Sequence, residues 1–338
     1  MRPGRSLATL ILLAALPVAG VLAMAAGRYA IEPATVLRIL ASPLLGAGDW
    51  TAMQQSVVQD VRLPRVLLAA VVGAGLAGAG AALQALFRNP LAEPQLLGVS
   101  SGAAFGGVLA LLAFGDGWPV MTGALIWGLL SLLAVYWLAG ARKSQRSGAV
   151  LLVLAGIVVN AVFASGVSLV KLMADPQNQL PAIIFWLMGS LAAADHDRLL
   201  ITLPCIGLSL LLLYGMRFHL MALAVGEDDA RSLGVPVGRV RGLALLAVGV
   251  ITASSVAVCG VVGWVGLVVP HLVRMGCGND HRQFLINTVL AGAVYLVLVD
   301  TLARTLSPME IPLGALTALF GAPLFAFLIR RLGGAAHG

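Results

Sequence analysis

The few charged side chains are the residues of this chain whose types and spacing could do chemistry, because 60% of its 338 residues are hydrophobic and only 10% are charged. Asp300 and Arg304 lie four residues apart in an apolar stretch, a spacing that lets a carboxylate and a guanidinium pair on one helix face. A charged side chain at the centre of a bilayer costs about 2.5–3.5 kcal/mol. We therefore expect Asp300 near a membrane interface, with Arg304 as its partner.

Residues that would support catalysis or metal binding do not occur in suitable patterns. Cys277, Asp280 and His281 lie close in sequence but lack metal-ligand spacing. The other cysteines, Cys205 and Cys259, form no CxxC pair. The apolar stretches contain no paired His, Asp or Glu residues, and the chain has no GxxxxGK[ST] phosphate loop. We expect no metal site and no catalytic residue, and hence a transport role rather than an enzymatic one.

Ten apolar stretches make up most of the sequence, and most of them reach the roughly 20 residues that a helix needs to cross the hydrocarbon. The eighth is short and contains Pro270, which indicates a partial span. The stretches cover residues 7–27, 66–87, 95–114, 119–139, 149–171, 199–216, 241–259, 262–273, 284–303 and 311–329. The sequence predicts an all-α membrane protein with about ten transmembrane helices, forming a single domain over 1–338.

Charge sets the orientation of these helices. When both termini are placed in the cytoplasm and ten helices alternate, most lysines and arginines fall inside, which satisfies the positive-inside rule. Arg62, Arg65 and Arg304 fall outside and run against it. The first stretch could be a signal peptide, but it exceeds the usual apolar length of about 7–15 residues, so we favour a retained helix. No basic segment is long enough to track a nucleic acid.

Two of the stretches lead into breaks. Residues 66–87 are rich in glycine and alanine and lead to Asn89 and Pro90, and residues 241–259 lead to a break between Gly260 and Pro270. Helices with small side chains approach closely in lipid, and breaks at membrane depth persist only where protein or a water-filled cavity surrounds them. In the assigned topology the two helices run in opposite directions, which indicates an inverted repeat of the kind found in transporters.

Two polar segments connect these stretches. The outside segment 172–198 contains an apolar run, PAIIFWLMGSL at 181–191, which is too short to span and predicts an interfacial or re-entrant helix.

In the inside segment 217–241, Gly226 ends one short helix. Acidic residues 227–229 begin a second, where the helix dipole favours them, and Gly234 and Pro236 end that second helix. We expect a docking surface rather than an ordinary solvated loop, with apolar side chains from Leu220, Met221, Leu223 and Leu233.

The chain resembles the permease family of ATP-binding-cassette importers for iron-siderophores, haem and vitamin B12, the FecCD type. The likeness covers nearly the whole chain and keeps its segments in order. These are RLPR (62–65), NPLAEPQLLGVSSG (89–102), LLVLAGIVVNA (151–161), FWLMGSL (185–191), ALAVGEDDARSLGV (222–235), GWVGLVVPHLVR (263–274) and EIPLGALTALFGAPLFAFLIRR (310–331).

The resemblance implies the type II ABC importer permease fold, with ten helices per subunit. It implies a bacterial inner membrane location, and a second copy of the chain or a close paralogue across a central pathway. Two cytoplasmic ATPase subunits and a periplasmic substrate-binding protein would complete the importer, with lipid around it. Because this chain lacks a phosphate loop, ATP and Mg²⁺ belong to the ATPase subunits, and the chain itself needs no cofactor.

The resemblance also places functional residues. Arg62, Arg65 and Arg304 correspond to external arginines that receive acidic residues of the binding protein, although lipid headgroup anchoring is the alternative. The cytoplasmic gate maps onto Asn89 and Leu91 and onto Ser147 and Gly148, where Gly148 and Ala149 depart from the hydroxyl residues common in the family. The ATPase-coupling positions are Ala222, Gly226, Glu227, Asp228, Ala230, Arg231, Leu233 and Gly234.

These expectations describe the membrane subunit of an importer that moves an iron-siderophore-type chelate from periplasm to cytoplasm. Haem, cobalamin or an oxyanion are alternative cargoes, since family frequency alone favours the siderophore. Asn160 and Ser165 could line the pathway or bridge helices. The rival from another class is an ion-coupled secondary transporter, which needs acidic or amide side chains at mid-membrane, and only Asp300 is a candidate.

Overall fold

The computed structural model describes residues 4–46, 48–140, 148–277 and 281–334. Its helices are α1 (Gly4–Ala25), α2 (Pro33–Leu45), α3 (Ala52–Ser56), α4 (Leu63–Leu86), α5 (Val99–Phe114), α6 (Trp118–Leu138), α7 (Gly148–Met173), α8 (Gln179–Met188), α9 (His196–Gly215), α10 (Arg217–Val225), α11 (Glu227–Ser232), α12 (Val237–Cys259), α13 (Val265–Cys277), α14 (His281–Thr305) and α15 (Leu313–Gly334). A π-helical turn (Val57–Arg62) joins α3 to α4, and a 3₁₀ turn (Pro94–Leu97) precedes α5.

All ten predicted apolar stretches are helices. In the described residues, seven segments are long and apolar enough to cross a membrane: Leu7–Ala25, Ala52–Leu86, Trp118–Leu138, Val150–Met173, His196–Gly215, Val237–Cys259 and Gln283–Thr305. The other three predicted spans, α5, α13 and the described part of α15 (Leu313–Ala326), are shorter apolar helices. The structure therefore agrees with the all-α membrane fold, and the count of about ten helices is roughly consistent with it.

Helix α4 is the centre of the bundle, since 83% of its most apolar window is buried. It packs against α9, α12, α13 and α14. A methyl group on Gly73 would collide with the Gly292 carbonyl oxygen of α14, and one on Gly80 would collide with the Gly266 carbonyl oxygen of α13. Only hydrogen atoms fit at these two crossings, which is the close approach that helices with small side chains allow.

The two predicted breaks begin at opposite ends of the bundle. We name these ends after the short helices that they hold, the α10 end and the α8 end. Asn89 follows α4 at the α10 end, where it borders the same cavity as Met221. Gly260 follows α12 at the α8 end, where Trp186 of α8 lies against it. Both breaks then turn back into the bundle, so that the Gln95 side chain lies over Gly263.

Helix pairing shows the same relation between the two halves. Helix α4 packs on α14 and α13, while α12 packs on α6 and α5. The pairs α5–α6, α5–α7 and α6–α7 likewise have counterparts in α13–α14, α13–α15 and α14–α15. Exchanging α4–α7 with α12–α15 therefore preserves these neighbours. With breaks at opposite ends, this pattern supports the predicted inverted repeat.

The segment before α4 contains helices that the apolar stretches did not indicate. It contains α2 and α3, and the span that includes α4 begins at Ala52, well before the predicted start at residue 66. Thr51 and Gln54 form a capping box at the start of α3, with nitrogen–oxygen distances of 2.9 and 3.1 Å. This pattern of a threonine followed three residues later by glutamine is a helix-start signal that the sequence contained.

Candidate translocation pathway and coupling surface

At the α8 end, one buried arginine joins two carboxylates from distant parts of the chain. The Arg65 guanidinium donates Nε and Nη2 to Asp300 of α14, at 2.9–3.1 Å. It also donates Nη1 and Nη2 to Glu310, at 2.7 and 3.0 Å. Asp300 is only 1% exposed. These bonds tie α4 and α14 to the turn that leads into α15.

Two further arginines extend this network over the end of α1. Arg304 Nε lies 3.7 Å from Asp300 Oδ2, and Arg304 Nη1 donates to the Ala26 carbonyl oxygen at 2.6 Å. Arg62 Nη1 donates to the Met24 carbonyl oxygen at 2.5 Å. The last carbonyl groups of a helix lack partners within that helix. The two arginines supply the missing donors and carry the positive charge that a helix C-terminus favours.

These contacts revise the expectation for Asp300. Its pairing with Arg304 is confirmed, but Arg65 is its main partner, and the carboxylate is buried among protein groups near the end of α14. Its position relative to the membrane interface stays a prediction. Burial acts to raise the pKa of the Glu310 carboxyl, but the hydrogen bond and positive charge of Arg65 outweigh burial and hold that pKa below its usual value. Both carboxylates are therefore partners of arginine within one subunit.

The structure brings the three predicted docking arginines together, and it directs their donors inward. Arg62 and Arg65 are 7% and 9% exposed, and the Arg304 side chain is 10% exposed. Docking of a binding protein by these side chains stays a prediction, because each guanidinium already has partners inside the subunit.

A polar cavity lies between the first break and α7. Its volume is about 130 Å³, and its lining comprises Gln95, Ser100, Ser101, Ala104, Asn160 and Val261. The Ser101 hydroxyl of α5 contacts the Asn160 amide oxygen of α7. Asn160 therefore both bridges two helices and lines a cavity. Ser165 is exposed, and its hydroxyl donates to the Ala161 carbonyl oxygen of its own helix at 2.9 Å.

The predicted gate is seen in part. Asn89 is exposed, and its side-chain oxygen accepts a hydrogen bond from the Leu91 backbone nitrogen at 2.9 Å, which fixes the turn after α4. The Leu91 side chain is 49% exposed. Ser147 lies outside the described residues, and Gly148 is the first residue of α7. The gate assignment stays a prediction.

The predicted pair of short helices at residues 217–241 is confirmed. Helix α10 ends at Val225 with Gly226 as its cap, and α11 begins at Glu227. Gly234 has a φ of +77° and follows α11, where its nitrogen donates to the Arg231 carbonyl oxygen at 2.9 Å. Glycine suits this position because other residues rarely adopt that backbone conformation.

One part of the predicted docking surface is wrong. Leu220 and Leu223 are 4% and 1% exposed, so they hold α10 against the bundle and cannot meet a partner. Leu233 is 75% exposed and Val225 is 67% exposed. Phe218 of α10 is also about half exposed, so exposed apolar side chains at this end come from α10 and from the residue that follows α11.

Glu227 joins α11 to the long helix α12. Its carboxylate accepts from Arg231 Nη2 at 3.1 Å and also contacts Arg241 of α12. Asp228 pairs with Arg231 at 3.1 Å, but its side chain is 91% exposed. A displacement of α11 would be transmitted to α12 through Glu227. Helix α12 runs to the break at Gly260 at the other end of the bundle.

The profile of the FecCD transport family matches residues 13–331, which is nearly the whole chain. This chain belongs to the FecCD transport family. It is therefore a multi-span permease subunit of an ATP-binding-cassette importer, with a transport role, and the family implies separate ATPase and substrate-binding partners.

Individual relatives agree with this assignment. The permease is 40% identical over 317 residues to the molybdate import system permease protein MolB of Haemophilus influenzae, covering 94% of this chain and 93% of that protein. It is 41% identical over 279 residues to the hemin transport system permease protein HmuU of Yersinia pestis, covering 80% and 82%. A structure described as an inward-facing metal-chelate type ABC transporter matches with a TM-score of 0.85 and 37% identity, covering 96% of this chain and 98% of that one.

Sequence reasoning missed several polar residues of the permease. Gln84 is the one polar side chain in the stretch 66–87, and its Nε2 donates to the Gly266 carbonyl oxygen at 3.2 Å while its Oε1 contacts Arg274. Gln95 and Ser101 line the polar cavity beside α7. A lone polar residue inside an apolar stretch is the signal that could have identified Gln84.

Proposed function

We propose that this permease moves an iron-siderophore-type metal chelate from the periplasm to the cytoplasm of a bacterial cell, across the inner membrane. The observation that carries the cargo proposal is the character of the polar cavity beside α7. Its described lining is polar but uncharged, with amide and hydroxyl groups from Gln95, Ser100, Ser101 and Asn160. Such a wall suits a bulky cargo that was already selected by a binding protein and needs no tight site in the membrane.

The pathway in this proposal lies between two copies of the subunit, or between the subunit and a close paralogue. The support is the face of α7, which is apolar and uncovered at Leu154, Ile157, Val158 and Val162, each more than half exposed. Helix α7 also carries Asn160 and Ser165. A second subunit packed there would bring two such helices to the sides of one channel.

The α10 end is assigned to the cytoplasm, along with both termini, as the distribution of basic residues favours. The ATPase subunits, which bind ATP and Mg²⁺, would meet Leu233 and the exposed acids of α11. Their closure would move α11, the Glu227–Arg241 contact would carry this movement into α12, and the pathway would open at the other side. The substrate-binding protein would dock at the α8 end, over Arg62, Arg65 and Arg304.

A second cargo, a molybdate-type oxyanion, is favoured by one observation, the likeness to MolB along nearly the full length of both chains. The described lining of the polar cavity beside α7 argues against an oxyanion cargo, because no arginine or lysine is present there to hold a dianion. The ion-coupled alternative is not favoured, since its candidate carboxylate, Asp300, is occupied by Arg65.

Uptake by proteoliposomes tests the cargo. The permease is reconstituted with its ATPase and binding-protein subunits, and accumulation of an iron-loaded siderophore is compared with that of labelled molybdate. We expect ATP-dependent accumulation of the chelate and none of molybdate. Accumulation of molybdate alone would contradict the chelate proposal while leaving the importer assignment intact.

A further inference from the structure

A cavity of about 420 Å³ opens at the α10 end, within the range of about 300–1,000 Å³ typical of ligand sites. It lies between the end of α4, helix α10, the end of α13 and the start of α14. Its polar lining is Gln84, Arg88, Asn89, Arg217 and Arg274, and the rest of its lining is apolar, with Met221 and Phe284 as the larger partly exposed side chains. Among the described residues that line it are three arginines and no carboxylate, so the cavity favours an anion.

Two of these arginines are held in place by neutral groups. The Arg274 guanidinium contacts the Gln84 amide oxygen and lies 5.1 Å from the centre of the Phe284 ring. The Arg217 guanidinium lies 4.1 Å from the centre of the Tyr214 ring and donates to the Tyr214 carbonyl oxygen at 2.9 Å. Each guanidinium has five donors, and within the described part of the chain neither forms an ion pair.

The third arginine stands where a glycine is expected. Arg88 has a φ of +50° and follows Phe87, the C-cap of α4. The Arg88 nitrogen donates to the Ala85 carbonyl oxygen at 3.3 Å, and the Asn89 nitrogen donates to the Gln84 carbonyl oxygen at 3.2 Å. This pair of bonds is the helix ending that glycine usually completes. An arginine in this backbone conformation is strained, and its exposed side chain lies at the rim of the cavity.

We propose that this cavity binds the headgroup of an anionic phospholipid from the adjacent leaflet. The recognised group is a phosphate oxyanion, which the forked donors of arginine match, and the acyl chains would leave the cavity past half-buried Met221 and exposed Ala224 of α10. Basic pockets between membrane helices on the cytoplasmic side are known lipid headgroup sites. The inference uses only the proposed orientation of the α10 end and is independent of the cargo.

Native mass spectrometry of the purified full-length chain tests this proposal, with phosphatidylglycerol and phosphatidylcholine as competing probes. We expect retained phosphatidylglycerol, and about fivefold weaker binding for each arginine removed in Arg88→Gly and Arg217→Gln. Arg88→Gly relieves backbone strain, so loss of lipid in that variant cannot be ascribed to misfolding. Arg239→Gln removes an exposed arginine of α12 outside the cavity and should retain the lipid.

Three outcomes would overturn the proposal. The first is equal retention of the two lipids, and the second is equal phosphatidylglycerol binding by Arg88→Gly, Arg217→Gln and the unaltered chain. The third is a site that takes free inorganic phosphate in an Arg217-dependent way while binding no phospholipid, which would assign the cavity to a soluble oxyanion. None of these readouts depends on transport, so failure here and failure of the proposed cargo are distinguishable.

Discussion

The two ends of the bundle use arginine in opposite ways. At the α8 end, Arg65 pairs with Asp300 and Glu310 within one subunit, and Arg304 lies beside the same buried Asp300. At the α10 end, Arg217 and Arg274 face an open cavity without a carboxylate in its described lining. The difference indicates that ion pairs stabilise the α8 end within the subunit, while the α10 end presents positive charge and apolar surface to partners.

Solvent exposure explains why an arginine–aspartate ion pair contributes more to stability at the α8 end than at the α10 end. The Asp300 side chain is 1% exposed, whereas the Asp228 side chain is 91% exposed. Removing one partner of a buried ion pair leaves the other charge without compensation in a medium that cannot solvate it. An exposed pair loses little, because water replaces the partner.

Substitution of Asp300 should give the largest effect. Asp300→Ala leaves Arg65 with one carboxylate and Arg304 with none of its acidic partners, and we expect a loss of about 3–5 kcal/mol in unfolding free energy. Asp228→Ala at the other end should change it by less than about 0.5 kcal/mol. Reversible unfolding in mixed micelles measures both. Equal effects of the two substitutions would contradict the contrast between the ends.

The α11–α12 junction should give the next effect, in coupling more than in stability. Glu227→Ala removes hydrogen bonds to charged groups worth about 1.5–3 kcal/mol, and with them the contact between α11 and Arg241. We expect ATP hydrolysis by the assembled importer to continue while uptake falls severalfold. Leu233→Asp should act similarly by weakening ATPase docking. Asp116→Asn, at an exposed acid of the turn between α5 and α6, is the control, and full uptake by the Glu227 variant would show that α11 drives α12 by another route.

In the middle of the bundle, adding a methyl group to α4 should cost more stability at Gly80 than at Gly78. A methyl group on Gly80 meets the backbone of α13, whereas on Gly78 it meets the end of the Leu210 side chain at 2.6 Å. Side chains can turn aside and a backbone cannot, so Gly80→Ala should destabilise by about 1–3 kcal/mol and Gly78→Ala by less. The same micelle unfolding measures both, and the reverse order would contradict the packing described for α4.

Acidification should give the smallest effect. Arg65 lowers the pKa of Glu310, so the ionised carboxylate contributes stability above the ordinary glutamate value of about 4.3. That contribution is lost as the pH falls through the lowered pKa. We expect the melting temperature of the unaltered chain to fall more steeply below this pH than that of Glu310→Gln. Parallel curves would indicate that the Arg65–Glu310 pair does not form.

Local features of this permease were predictable from the sequence. The ten apolar stretches locate its helices because a span needs length and apolar composition only. The ends of α10 and α11 were predictable because Gly226 and Gly234 are local stop signals. The burial of Leu220 and Leu223 was not predictable, because a short helix with apolar side chains on several sides does not indicate which side packs against the bundle.

Long-range partners were not predictable. Arg65 and Asp300 are 235 residues apart in sequence, and no local pattern indicates that α4 and α14 lie side by side. The neighbour four residues away, Arg304, was the partner that the sequence could suggest. Likewise the cavity at the α10 end combines residues from several helices, so its charge could not be seen before the helices were assembled.

The central claim is that this permease is driven from the α10 end by ATPase subunits that it does not contain. The most direct measurement is uptake by proteoliposomes that carry the permease and binding protein, with and without the ATPase subunits, under an imposed proton gradient. We expect uphill accumulation of cargo only when the ATPase subunits and ATP are present. Accumulation driven by the proton gradient alone would contradict the claim.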